Sequence, residues 1–202
     1  LLGGVRASAF VVAVTTLIKQ TLAWVMRQDA WVMVAAPFAG MAVAVLVLNL
    51  VAHGQAVQHI ASDAAPPRRF SAWLAFPASA VRADLTADVV NNAGSEENFP
   101  WRLAPIRAAA IFATVGLGAP MGTESPAAHL GVAAGSALER FGGRWRGLAR
   151  SAGVAGGAAG VAALMGLPLV GLAFMLELGW RSRAPLSLTR VLAAGTGALV
   201  GW

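Results

Sequence analysis

The chain alternates hydrophobic runs of helical length with short charged connections. From Ala30 to Ala52 twenty-three successive residues carry no charge. At about 1.5 Å per residue, a helix of that length crosses the roughly 30 Å hydrocarbon layer of a bilayer. Before it, Ala9 to Trp24 is apolar apart from Lys19 and Gln20, and Trp24, Arg27, Asp29 and Trp31 have the make-up of an interfacial connection. The pattern predicts a helical hairpin. His53 to Arg69 reads as a polar surface loop containing Pro66 and Pro67, and Phe70 to Val81 is too short an apolar run to cross, so it is interfacial or re-entrant. Arg82 to Arg102, with Asp84, Asp88, Glu96, Glu97 and the turn-forming Asn91-Asn92-Ala93-Gly94, is aqueous.

The second half is apolar but repeatedly broken. Leu103–Met121 ends at Gly118-Ala119-Pro120, and Ser125–Leu138 follows at once, with nothing polar enough between them for a surface loop. This predicts two helices meeting at a break inside the membrane. Glu139 to Arg150 is a basic connection; Ser151–Trp180 is apolar and split near Gly166-Leu167-Pro168; Leu192–Trp202 begins another run. The pairs Gly131/Gly135, Gly153/Gly157 and Gly156/Gly160 are spaced four apart, which puts each pair on one helix face and lets backbones approach closely. The expected fold is an all-α polytopic membrane protein with re-entrant and broken helices, one transmembrane domain over residues 1–202.

Composition sharpens this picture: 57% of residues are apolar and only 12% charged, against about 25% charged in ordinary soluble domains. The absence of cysteine excludes disulfides and thiolate sites. A net charge of +6 raises nucleic acid as a partner, but most of the fifteen basic residues, all arginine except Lys19, lie in connections between apolar runs, as membrane topology requires. Catalysis has poor candidates: His53, His59, Asp63 and His129 form neither His-Glu-x-x-His nor any other hydrolytic pattern. Neither an enzyme nor a cofactor is indicated. The chain opens without methionine and stops at Trp202 inside an apolar stretch, so it reads as a piece of something longer.

Seven of the nine acids lie in polar connections; Glu124 and Glu177 are embedded among apolar residues. A carboxylate in hydrocarbon costs at least about 2.5 kcal/mol, so such groups usually serve an ion or proton path. Around Glu124 the sequence Gly122-Thr123-Glu124-Ser125-Pro126 predicts a helix starting at Pro126 with Ser125 as N-cap. Its first amides and dipole make an anion site of backbone. The Glu124 carboxylate competes for that site as a tethered anion and leaves when protonated; the alternative is a carboxylate that caps its own helix. Glu177 is either a proton relay or a side chain snorkelling to the interface beside Trp180 and Arg181. A non-transporting membrane scaffold would explain the glycines but not Glu124 at a break.

Gly122-Thr123-Glu124-Ser125-Pro126 resembles the Gly-Lys/Arg-Glu-Gly-Pro signature of the CLC chloride channels and anion/proton antiporters, matching three of its five positions. Gly166-Leu167-Pro168-Leu169-Val170-Gly171-Leu172-Ala173-Phe174-Met175-Leu176-Glu177 resembles that family's later Ala-Pro-Leu-Ala-Gly-x-Leu-Phe-x-x-Glu-Glu helix, and the interval from Pro126 to Pro168 also agrees. The resemblance implies the first of two inverted repeats of a subunit that dimerises. It implies transport of small inorganic anions, chloride foremost with fluoride as the alternative, through a channel or a proton-coupled antiporter in a bacterial inner membrane. Glu124 would be the gate, and the backbone through Gly122, Thr123, Ser125, Pro126, Ala127 and Ala128 would hold the anion. Ser79, in Ala78-Ser79-Ala80-Val81, falls on the family's anion-coordinating serine. Glu177 matches the first acid of the Glu-Glu pair, and Leu178 stands at the second. The implied topology puts Arg68–Arg69 and Arg181–Arg183 on the cytoplasmic side and Arg140–Arg150 outside.

Overall fold

The computed structural model describes residues 2–61, 89–90, 99–120, 122–181 and 186–202. Among them all regular structure is helical, as the apolar periodicity predicts. The short apolar run at 70–81, with Ser79, lies outside the described residues, as does Arg183. The chain divides into two compact units, one of Leu1–Thr16, Asp84–Trp101 and Gly122–Trp202, the other of Leu17–Ala83 and Arg102–Met121.

Helix α1 (Leu2–Val25) runs from the first unit into the second, and a short connection leads to α2 (Ala30–Ala61). In that connection the Val32 and Met33 amides donate to the Asp29 carbonyl at 2.9 and 3.2 Å, which starts α2. Trp24 and Trp31 stand well exposed on either side of it, as an interfacial belt requires. The polar loop expected from His53 onward is corrected: α2 continues through His53 and His59 to Ala61. No proline or turn dipeptide occurs there before Pro66, and Ala, Gln and His all tolerate a helix.

A 3₁₀ turn at Trp101–Leu103 leads into α3 (Ala104–Gly116), which lies in the second unit. Ala44 of α2 packs with Ala110 and Ala113 of α3, and a Cβ on Gly40 would land on the Ala113 carbonyl oxygen. The opposite side of α2, with Val34, Phe38, Val45, Leu46 and Leu50, is exposed. A stretch over Ala30–Leu50 with mean hydropathy 2.3 is long and apolar enough to cross a membrane.

The first unit is built around α5 (Gly143–Met165), which among the described residues is the second helix long and apolar enough to cross. It contacts α4 (Glu124–Ser136), α6 (Pro168–Arg181) and α7 (Leu188–Gly201). Of the glycines paired by spacing, Gly131, Gly135 and Gly156 make these contacts, joined by Gly171, Gly197 and Gly201. A Cβ on Gly131 would strike the Gly156 carbonyl, one on Gly135 the Ala152 carbonyl, one on Gly171 the Ala158 carbonyl, and one on Gly197 or Gly201 the carbonyls of Ala155 or Ala159. Backbone contact of this kind supplies dispersion attraction where lipid gives no hydrophobic drive between helices. Met175 of α6, fully buried, fills the space over Gly157, where a Cβ would come within 2.8 Å of its sulfur.

The register of these pairs sets directions. Pairing 131 with 156 and 135 with 152 makes α4 and α5 antiparallel; pairing 197 with 155 and 201 with 159 makes α5 and α7 parallel. Between α5 and α6, Gly166 ends the first helix with φ +68°, and Pro168 opens the next. The start of α5, the end of α6 and the start of α7 therefore share one end of the unit. There the Arg190 guanidinium lies over Gly179 and is repelled by the charge of Arg150. This corrects the topology implied by the resemblance: Arg140–Arg150 and Arg181 stand at the same end, because an α5–α6 hairpin returns the chain to where α5 began. The arginines at 144, 146 and 150 also belong to α5 itself rather than to a connection, since arginine is a good helix former whose stem lies along apolar surface.

Candidate functional site

Helix α3 stops abruptly. The Gly118 amide donates to the Val115 carbonyl at 3.1 Å and the Ala119 amide to the Thr114 carbonyl at 3.0 Å, with Gly118 at φ +93°. This pair of bonds is a Schellman closure, which wants glycine at its left-handed position, and Pro120 prevents continuation. The break read from Gly118-Ala119-Pro120 is real.

Helix α4 begins two residues before the predicted start. Thr123, in helical backbone conformation, occupies the N-cap position and its side chain makes no capping bond; Glu124 is the first helical residue. The Ala127 amide donates to the Thr123 carbonyl at 3.0 Å, the first bond of the helix. Pro126 is tolerated within the first turn, because an N–H there would have pointed out of the helix start rather than into its ladder. Ser125 is accordingly a first-turn residue, not the N-cap.

Thr123, Glu124 and Ser125 are half-buried, and Pro126 to Ala133 are buried without interruption. The Glu124 side chain turns back toward the preceding residues: a Cβ on Gly122 would lie 2.9 Å from its Oε2. Glycine at 122 thus leaves room for the carboxylate beside the helix start. Of the residues read as anion-holding, Gly122 is exposed at the rim, Ala127 is engaged in the first helical bond, and Ala128 lies one residue deeper.

Glu124 is seven residues before the Gly131–Gly156 crossing, about 10 Å along the helix axis. Because α4 and α5 are antiparallel, it lies toward the Met165 end of α5, and the arginine-rich end is on the other side of the unit.

Glu177 is in a different setting. It is well exposed, with Oε1 3.0 Å from Nη2 of Arg181 one turn on, which favours the interfacial reading of this acid. Exposed helical pairs of this type contribute only about 0.3–0.5 kcal/mol. Ser79 falls outside the described residues.

Two buried polar residues have no part in the anion site read from the sequence. His129 of α4 is completely buried, its ring 5.0 Å from that of Phe99 and tilted by 57°. Arg107 of α3 is 3% exposed, although in the sequence it only interrupts an apolar run. The available signal for both was a polar residue at the centre of such a run. Among the described residues no cluster of histidine and acidic side chains suits a metal ion.

Two helices among the described residues are long and apolar enough to cross a membrane, and short broken helices pack beside one of them, as in a polytopic membrane protein. Residues 71–201, well over half of the chain, match the family model described as voltage gated chloride channel. The chain belongs to that family, and so to an integral membrane protein of a family of channels and transporters rather than enzymes. No curated protein and no solved structure matches it.

Proposed function

We propose that this chain conducts small inorganic anions, chloride foremost, through a site at the start of α4 gated by the Glu124 carboxylate. The observation that carries the reading is the position of that carboxylate, folded back over Gly122 at the mouth of a helix buried from Pro126 to Ala133. Helix starts favour negative charge through oriented amides and the macrodipole. A carboxylate resting there and a free anion therefore compete for one place. Protonation removes the charge of the tethered competitor, and the anion enters.

In this reading Gly122, Thr123, Glu124 and Ser125 supply the first amides; Pro126, Ala127 and Ala128 form the buried wall behind them. Ser79 contributes from the preceding apolar segment. The family match supports a subunit of two inverted repeats, of which residues 1–202 form the first, with a second copy as the dimer partner. The Arg181 pairing of Glu177 supports an interfacial anchor more than a proton relay.

The test is efflux from liposomes carrying the protein, in chloride and in fluoride, with and without a pH gradient. Chloride efflux that rises on acidification, and that becomes high and insensitive to pH in Glu124→Gln, is expected. Absence of flux in both salts overturns transport; flux indifferent to Glu124→Gln overturns the gate; uphill proton movement driven by chloride identifies an antiporter.

A further inference from the structure

Helix α4 carries a line of polar residues besides the acid at its start. His129 follows Ser125 by four residues, and Ser136 follows His129 by seven. At 3.6 residues per turn the three fall within about 40° of one another on one face. The face is a buried one: His129 is 0% exposed and Ser136 3%, and Ser125 is half-buried. It is not the face that crosses α5, which Gly131 and Gly135 form. Val132, between the two buried polar residues, reaches toward α5, where its Cγ2 would stand 2.8 Å from a Cβ on Gly157. Phe99 lies on the His129 side, its ring centroid 5.0 Å from that of the imidazole.

The line continues past α4. Residues 137–141 form a 3₁₀ turn entered from Ser136, and side chains three apart in such a turn eclipse, so Glu139 stands over Ser136 on the same face. An acid therefore closes each end, Glu124 at the start and Glu139 about 22 Å further along the axis. The Glu139 side chain is 18% exposed and its Oε1 lies 3.8 Å from Nε of Arg146, at the arginine-rich end of the unit. Glu177, the acid that the resemblance puts on a proton path, is well exposed and paired with Arg181.

Polar side chains inside a membrane protein are costly and usually serve an ion or proton path. The Ser136 Oγ is buried and has no hydrogen-bond partner among the described residues, and internal water satisfies such groups. Imidazole and hydroxyl groups each accept a proton on one side and release one on the other, which is what a relay requires. We infer that this face of α4 is a proton relay with His129 as its central carrier, Glu139 as its inner port and bound water in the intervals. The inference rests on the Glu124 gate. The Glu124 carboxyl gives its proton to the Ser125 hydroxyl or to water beside it. His129 takes a proton at one ring nitrogen and releases one from the other, and water at Ser136 hands one to the Glu139 carboxylate. One proton has then crossed, Glu124 is again a carboxylate, and each carrier between keeps its number of protons.

Chloride efflux from liposomes and the proton movement that accompanies it, recorded together for variants of equal helicity, test the relay. His129→Gln, which keeps a polar side chain but cannot carry the proton, is expected to lower proton movement at least about tenfold, while chloride efflux and its dependence on Glu124 persist. Glu139→Gln is expected to do the same, Ser136→Ala to act in the same direction, and Glu177→Gln to leave proton movement unchanged. Proton movement undiminished in both His129→Gln and Glu139→Gln overturns the relay, as does chloride efflux without proton movement in the unsubstituted protein; either result leaves the gate standing. Equal losses in Glu177→Gln and Glu139→Gln overturn Glu139 as the port. Absence of chloride efflux from the unsubstituted protein overturns the gate, and the relay with it.

Discussion

At the scale of single residues, the chemistry of the gate comes down to what a glycine omits. A methyl group at position 122 would stand 2.9 Å from the Glu124 carboxylate oxygen, closer than carbon and oxygen rest. Gly122→Ala should therefore push the carboxylate from its resting place while leaving the helix start intact. The expected result is higher anion flux at neutral pH and a weaker rise on acidification. Because both substitutions act on one side chain, adding Gly122→Ala to Glu124→Gln should have no further effect, and efflux from the four proteins of that cycle gives the answer directly. Additive effects would separate Gly122 from the gate. Met175 offers a stability counterpart: it is fully buried over Gly157, and Met175→Ala should cost about 2–5 kcal/mol of unfolding free energy in detergent.

At the scale of elements, the first unit is held by helix crossings in which backbone touches backbone. Adding one methyl at Gly131 meets the Gly156 carbonyl, and neither main chain can give way cheaply. Gly131→Ala is expected to destabilise the protein by about 1–3 kcal/mol. Gly147 of α5 has nothing within 4 Å of a Cβ, so Gly147→Ala should stabilise by up to about 1 kcal/mol through helix propensity alone. Denaturation of the two variants in micelles would show opposite shifts, and equal shifts would mean the glycines act only through backbone entropy. Residue spacing made these crossings legible: glycines four apart mark a face, though not which helix it meets. The breaks at Gly118 and Gly166 were legible for the same reason, since glycine beside proline has few other uses in an apolar run. The exact start of α4 was not, because Ser125 and Thr123 are both good caps and proline is accepted anywhere in the first turn. The continuation of α2 to Ala61 is not legible, because polar residues suit a surface loop and a helix that leaves an apolar layer without ending equally well. The burial of Arg107 and His129 depends on tertiary neighbours that no local pattern carries.

At the scale of the whole molecule, direction across the membrane follows from the first unit alone. With Arg140–Arg150 and Arg181 on opposite faces, as the resemblance implies, charge along the sequence favours neither orientation. The antiparallel α5–α6 hairpin gathers them, with Arg190, at a single end, and the connection at Gly166–Leu167 on the other end carries no charge. Arginine-rich connections stay in the cytoplasm during insertion. The basic end is therefore expected to face the cytoplasm and the Met165 end the exterior, which puts Glu124 on the outer side and makes external, not internal, acidification the condition that opens the gate. The chain contains no cysteine, so single labels can be introduced without background. Leu167→Cys, at an exposed position between α5 and α6, should react with a membrane-impermeant maleimide in intact cells. Gly147→Cys, exposed at the basic end with open space around its side chain, should react only after the membrane is opened. The reverse labelling pattern would invert the topology and, with it, the side from which protons act; labelling of both positions from one side would break the hairpin on which the assignment depends.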